Sequence, residues 1–476
     1  MNKTLFSSSL WAGAVLAAAA MAASSPVLAA SPAATSAAAP AAATASTDVE
    51  RGRYLATAGD CIACHTAVGG KAMAGGLAMA SPLGSIYSTN ITPSKTHGIG
   101  NYSLEQFSNA LRYGKRADGA NLYPAMPYTA YAKTSDEDIA ALYAYFMQGV
   151  EAVDVAAPVT ALPFPFSIRA SLSVWNSLFH DATPYKADDS QTPEWNRGAY
   201  LAQGLAHCTT CHTPRNAMMA EDMKRSLGGG EIGGWYAPNI SSDKTSGIGQ
   251  WSEQELIAYL SGQPVPGKGA ASGPMAEAID HSLKHLRPED MKAIVTYIRS
   301  VPAVADASVK QAADSFGKAR DDLDSLRGTE LPKDHDTMTG AQLYDANCAS
   351  CHQAQGQGTE GGGLPSLFAN TSLGHSNSNN LVQVLLHGVE RHGVDSVMPA
   401  FSHELSDKQI VTLGNYLLAS YGNPAAKVTE QQVAELRDPA KAGASGLLIF
   451  ARIGMAAAVV AALAVIVWLL RRKRNS

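Results

Sequence analysis

The chain has no cysteine to spare. Its 476 residues contain six, and all six fall into three Cys-x-x-Cys pairs, which leaves none for a separate disulfide framework. Strong charge of one sign is also missing: 36 Lys and Arg stand against 41 Asp and Glu, a net of −5. That balance excludes the basic footprint of a nucleic-acid binder, and with 46% hydrophobic residues the chain is no disordered polyelectrolyte. Aromatics are few, at 7%. No stretch alternates apolar and polar residues for long enough to read as a sheet strand. No cluster of nucleophile and base marks a hydrolase. Present in quantity are 42 Gly and 24 Pro, which predict short elements joined by many loops. The length allows two to four domains.

The two ends read as targeting and anchoring segments. Lys3 precedes an Ala, Leu and Val run after Trp11, and Val27, Leu28 and Ala29 form a small-residue cleavage site. Residues 1–29 are thus expected to be a secretory signal peptide, followed by a low-complexity, flexible leader over 30–47. At the other end, 453–470 is an uncharged, mostly apolar run. As a helix it spans ~27 Å, close to the ~30 Å hydrocarbon core of a bilayer. Arg471, Arg472, Lys473 and Arg474 follow at once, and the positive-inside rule puts them in the cytoplasm. The expectation is a transmembrane anchor over 446–470, a cytoplasmic tail over 471–476, and everything before them on the periplasmic side of the inner membrane.

Between the ends the chain repeats itself. Arg-Gly-x-Tyr-Leu occurs at 51–55 and 197–201, each just ahead of a cysteine pair, with a weaker echo from Gly340 to Tyr344. Tyr87, Asn90 and Ile91 are matched by Tyr236, Asn239 and Ile240, and Gly-Ile-Gly at 98–100 by the same triplet at 247–249. The cysteine pairs recur at roughly 140 to 150 residues, the signature of duplicated units. Each unit closes on an apolar helical pattern with a start signal: a capping box from Thr134 to Glu137, Pro288 at a first helical position, and Ser406 with Gln409. The units are bounded as 48–150, 191–302 and 336–424, with linkers over 151–190, 303–335 and 425–445. They are expected to fold independently.

Each cysteine pair is followed directly by histidine: Cys61, Cys64 and His65; Cys208, Cys211 and His212; Cys348, Cys351 and His352. This is the attachment signal of c-type haem, in which two thiols a helical turn apart form thioethers and the histidine lies under the iron. With 13 His in the chain, one follows a given pair by chance about once in 37, and three coincidences are on the order of one in 50,000. Zinc sites, thioredoxin-like redox pairs and disulfides are the rival readings, and none accounts for all three histidines.

A methionine in a loop before each final helix is a candidate sixth ligand. Met126 and Met275 come roughly 60 residues after their histidines, and Met398 roughly 45. Met126 and Met398 are followed by proline. Met218, Met219 and Met223 lie too near their motif. Backbone carbonyls at Thr89, Pro238 and Pro365 are candidate acceptors for the second ring N–H of each histidine. Tyr87, Trp235 and Tyr236 are read as packing residues near haem or core. His97, His207, His281 and His403 are read as surface or loop residues. No catalytic residue is assigned.

Cys61 to His65 with the residues before them, the Tyr87–Pro93 stretch, Gly98 to Gly100, Leu122 to Pro127 and Ala141 to Met147 closely resemble one family. It is the three-haem cytochrome c subunit of bacterial membrane-bound dehydrogenases for alcohols, aldehydes, gluconate and sugar alcohols. The likeness covers nearly all of the mature chain and is loosest in the third unit, which has its own segment from His387 to His392. The resemblance implies an all-α fold of three tandem class I cytochrome c-like domains, to which the apolar run adds the C-terminal transmembrane helix, a departure because such a helix is not universal in this family. It implies three covalently bound haem c groups with axial pairs His65/Met126, His212/Met275 and His352/Met398. It further implies a separate catalytic subunit carrying flavin or pyrroloquinoline quinone, with a small subunit beside it in some members, and delivery of electrons to membrane ubiquinone. Two other roles remain: a standalone membrane-tethered carrier feeding a terminal oxidase, and a multihaem peroxidase or reductase with one open haem.

Overall fold

The computed structural model describes residues 39–81, 83–359, 364–389, 398–438 and the single positions 453, 454 and 471, with side chains from residue 47 onward. Each of the three units begins with a helix that carries the repeated motif: Ala39–Ala58, Pro193–Gln203 and Gly340–Asn347. A short helix bearing the cysteines follows, at Cys61–Cys64, Cys208–His212 and Ala349–His352. Each unit closes on a longer helix, at Asp136–Gln148, Pro288–Ser300 and Asp407–Tyr421. The first of these elements starts at Ala39, inside the stretch read as a flexible leader, where alanine favours helix.

The opening and closing helices of each unit cross at a glycine. A Cβ on Gly52 would lie 1.9 Å from the carbonyl oxygen of Ala141, and one on Gly198 would lie 1.9 Å from that of Ala293. Gly340 meets Tyr416 Cβ at 2.3 Å in the same way. In the first two units the repeated glycine is therefore a contact between backbones, and in the third it makes room for a tyrosine side chain; no larger residue fits at any of the three. The leucine three residues on, Leu55 or Leu201, enters the core beneath the crossing.

The closing helices start where the chain supplies caps. Ser406 and Gln409 form the expected reciprocal box, and Pro288 occupies the first turn of its helix. In the first unit the cap is Ser135, one residue later than Thr134, and it accepts from the Asp138 amide as a simple cap in place of the expected box. Apolar residues at helical spacing then line the buried face: Ile139, Leu142 and Phe146 in the first unit, Met291, Ile294 and Ile298 in the second.

The expected fold class needs correction on two counts. It is not purely α: Ala78–Ser81 pairs with Gly84–Tyr87, and Gly230–Ile232 with Trp235–Ala237, as antiparallel hairpins. Their strands are three or four residues long, too short to show an alternating pattern. Nor is the transmembrane helix found: among the described residues no helix is long and apolar enough to cross a membrane. A span needs about 20 consecutive apolar helical residues. The one described helix of that length, Ala39–Ala58, carries Asp48, Glu50, Arg51 and Arg53. Of the 446–470 segment only 453 and 454 are described, and the expected signal peptide over 1–29 lies outside the described residues.

Two hydrophobic cores emerge where three separate ones were expected. One runs without a break from Leu55 through Phe146 to Leu201 and Ile298, joining the first and second units. The other, from Leu323 to Leu436, belongs to the third. The third unit meets the second through polar contacts: Asn380 exchanges two 2.8 Å hydrogen bonds with the backbone of Tyr236, and Asn377 donates to Glu231.

Candidate functional site

The three attachment helices are built alike. In the first two, the residue ahead of the first cysteine turns left-handed: Asp60 at φ 51° and His207 at φ 37°. Asp and His are among the residue types that tolerate that region. Cys61 and Cys64, and Cys208 and Cys211, then lie one turn apart on the same face. All six cysteines are free, which removes the disulfide reading. Burial pushes the Cys61, Cys208 and Cys348 thiols up to about 12, and those of Cys64 and Cys211 up to about 11. Such thiols stay protonated near neutrality, unlike the activated thiolates of redox pairs. Among the described residues no three His, Cys, Asp or Glu side chains converge as a zinc centre requires.

The histidines share one arrangement. Nδ1 of His65 lies 2.7 Å from the Thr89 carbonyl oxygen, Nδ1 of His212 lies 2.7 Å from that of Pro238, and Nδ1 of His352 lies 3.0 Å from that of Pro365. A carbonyl only accepts, so Nδ1 carries the hydrogen and donates it, and Nε2 keeps its lone pair for a metal. Burial lowers all three imidazoles below their ordinary value, and the carbonyl bond opposes this only in part. The rings are therefore neutral at pH 7, the state in which a histidine ligates. All three carbonyls are those expected from the repeat.

The Asn in the matched Tyr–Asn–Ile stretches explains how these carbonyls are held. Asn90 Oδ1 accepts from the Thr92 amide while its Nδ2 donates to the carbonyls of Val153 and Val155. Asn239 repeats this with the Ser241 amide and the Val304 carbonyl. Each asparagine pins the loop behind the histidine to the chain leaving the closing helix.

Met126, Met275 and Met398 are each half-buried against the core of their own cluster, in the company of Cys61 and Cys208 in the first and Cys348 in the second. Met398 sits at the edge of the described residues, where it exchanges two backbone hydrogen bonds with Val389. The segment from His387 to His392 is described only as far as Val389. Beside Cys61 a pocket is lined by Phe107, Leu111, Tyr131, Leu142, Phe146 and Leu205. Free paired thiols, a neutral histidine with its Nε2 open and apolar side chains beside Cys61 are the donor chemistry a covalently held haem requires.

Several residues of this site were not legible as such. His207, read as a surface residue, is half-buried with its ring 5.6 Å from that of Tyr131. The Asp60 carboxyl has no partner at Oδ1 and is pushed up to about 8, chiefly by burial and further by Glu277. Leu205, from the second unit, lines the pocket of the first. The signal for all three was position, one residue before a cysteine for Asp60 and His207 and three before for Leu205, and residue type alone does not reveal which neighbour faces it.

Comparisons with known proteins agree with this site. A family model described as cytochrome c matches residues 49–149 and 196–302, and one described as cytochrome c oxidase, cbb3-type, subunit III matches 335–417. The chain is 47% identical over 452 residues to the fructose dehydrogenase cytochrome subunit of Gluconobacter japonicus, covering 90% of this chain and 92% of that one. It is 40% identical to the gluconate 2-dehydrogenase cytochrome c subunit of Pantoea cypripedii, covering 82% and 89%. With the alcohol dehydrogenase (quinone) cytochrome c subunit of Gluconobacter oxydans (strain 621H) it shares 37% identity over 82% of each chain.

Proposed function

Since the chain belongs to the family of dehydrogenase cytochrome c subunits and transfers electrons through covalently bound haem c, we propose that it holds three such haems and passes electrons from a catalytic subunit to ubiquinone. The observation that carries the number is the threefold recurrence of one arrangement: paired free cysteines, then a histidine whose Nδ1 is held by a backbone carbonyl. Cys61 and Cys64, Cys208 and Cys211, and Cys348 and Cys351 form the thioethers, and His65, His212 and His352 are the proximal ligands. Met126, Met275 and Met398 close the opposite side. Bound haem supplies a one-electron couple at each site, and methionine ligation favours electron transfer over substrate binding at iron.

The residues around each site do the rest. The carbonyls of Thr89, Pro238 and Pro365 fix the tautomer and angle of the histidines, and the apolar lining keeps water from the crevice. Substrate oxidation belongs to a separate polypeptide with flavin or pyrroloquinoline quinone. The signal-like segment ending at Ala29 supports function on the periplasmic side, next to the quinone pool.

A pyridine haemochrome assay on protein matured in a periplasm tests this reading, with three covalent haems per chain as the expected result. Reduction by a dehydrogenase partner and reoxidation by a ubiquinone analogue should follow. Protein without covalent haem would overturn the proposal.

A further inference from the structure

The first two units are joined by a contact that each makes with the other in the same way. Tyr54, in the Arg-Gly-x-Tyr-Leu motif of the first unit, donates its hydroxyl to Asp290 of the second at 2.6 Å. Tyr200, in the same motif of the second unit, donates to Asp138 of the first at 2.5 Å. The two aspartates hold equivalent places, third in the closing helices Asp136–Gln148 and Pro288–Ser300. Both are buried, and each also meets the motif arginine of its own unit. Arg197 grips Asp290 with two hydrogen bonds of 2.7 and 2.8 Å. Arg51 approaches Asp138 Oδ1 at 2.5 Å, an ion pair by distance without the direction of a hydrogen bond. A buried carboxylate without partners is costly. Asp290 is held by Arg197 and Arg287 of its own unit together with Tyr54, and Asp138 by Arg51 together with Tyr200, so each takes part of its satisfaction from the other unit.

The third unit lacks this device. Its opening motif has Thr339 where the others have arginine, and the third residue of its closing helix is Gln409. Gln342 stands where the others have tyrosine, and Tyr344, two residues further on, turns inward and donates to the Gln353 carbonyl at 2.7 Å, packed against Tyr416 and Tyr421.

The two contacts flank the attachment helices. Pro274–His281, which carries Met275, packs on Cys61–Cys64 of the first unit. Ser282 donates to the Ala58 carbonyl across the same boundary. In the opposite sense, Tyr131, five residues after Met126, stacks edge-on against His207, beside Cys208. The methionine segment of each unit thus lies against the cysteine helix of the other.

We propose that the Tyr54–Asp290 and Tyr200–Asp138 pair is a reciprocal clasp whose tyrosines are positioning residues for electron exchange between the first and second haem sites. The first two units form one redox module, and the third is a separate station reached across the Asn380 contact. This rests on the haem reading given under Proposed function. An electron entering one site of the module redistributes to the other with no net redox change in the pair, and the clasp sets how far it travels.

The test is Y54F/Y200F, which removes both hydroxyls and keeps both rings. Haem content is counted first. Then two quantities are read: the intramolecular exchange rate after rapid one-electron reduction, and denaturant unfolding of the first two units. Trp195, Trp235 and Trp251 lie in the second unit and neither the first nor the third has a tryptophan, so among the units the fluorescence change comes from the second, with Trp175 of the linker and Trp468 as background. The expected result is full haem, exchange between the first two sites slower by about tenfold, and fluorescence and haem-band transitions that no longer coincide. Asp138→Asn keeps an oxygen for Tyr200 and should leave the exchange rate within about twofold, even where stability falls. If the double variant does not mature, Y54F and Y200F singly carry the same comparison. Full haem with unchanged exchange and coincident transitions would sink the clasp. Missing haem in these two units of the unmutated chain would sink the haem reading instead.

Discussion

Asp290 shows how one side chain links burial, pairing and pH. Burial alone would raise its carboxyl, but the hydrogen bonds from Arg197 and Tyr54 outweigh that and hold it at about 2, against an ordinary 3.8. Its folded value lies below its unfolded one, so the stability it contributes is complete above about pH 4 and is lost as pH falls toward about 2. Asp290→Asn should therefore be less stable than the native protein at pH 7, by an amount that shrinks steadily below pH 4. Unfolding midpoints measured from pH 7 to pH 2 check this, and a gap that stays constant with pH would contradict it. His65, His212 and His352 illustrate the same coupling without a switch, because burial keeps them neutral against the opposing carbonyl bond, which orients them.

Among the elements, the crossing of Pro193–Gln203 with Pro288–Ser300 depends on Gly198. Gly to Ala in an exposed helix interior normally gains about 1 kcal/mol. Here the added Cβ would fall 1.9 Å from the Ala293 carbonyl oxygen, so the helices must part. Overpacking of this kind costs about 1–3 kcal/mol. Gly198→Ala should thus destabilise, opposite in sign to the propensity rule, and a denaturant midpoint settles it. The hairpins matter at this scale too. Gly230–Ile232 and Trp235–Ala237 lead into Pro238, whose carbonyl orients His212, and the outer strand of the same hairpin receives Asn380 of the third unit. One three-residue strand therefore serves both the orientation of His212 and a domain boundary.

For the whole molecule, the shared core changes what removing a haem does. With independent units, losing any one attachment would leave the other two intact. With one core running from Leu55 to Ile298, replacing Cys61 and Cys64 by Ala should lower the haem content of the second unit as well and leave the third loaded. Replacing Cys348 and Cys351 should affect the third unit alone. Haem-stained fragments after limited proteolysis distinguish the cases. Equal loss across all three units after the first replacement would refute the two-core description.

Much of this was legible in one dimension. Haem attachment rests on residues adjacent in the chain, and Cys-x-x-Cys-His keeps its chemical meaning wherever the rest of the fold goes. The closing helices were legible because caps and apolar spacing are local, and even the carbonyls of Thr89, Pro238 and Pro365 followed from comparing one repeat with another. The hairpins were not, since three or four residues cannot display a period. Nor did the apolar run at 453–470 yield a spanning helix among the described elements. The role of the Arg-Gly-x-Tyr-Leu repeat was hidden for a different reason. Its sequence announces that something recurs, with Tyr54 and Tyr200 in register and Tyr344 two residues further on in the weaker echo. Two of them reach across to an aspartate in the neighbouring unit and one turns into its own core. That choice depends on which buried carboxylate lies within reach, a property of contacts more than 60 residues apart along the chain. The sequence by itself determined the chemistry of each site and the number of repeats; only the tertiary structure decided that two of the three share a core, because burial of charge is settled in space.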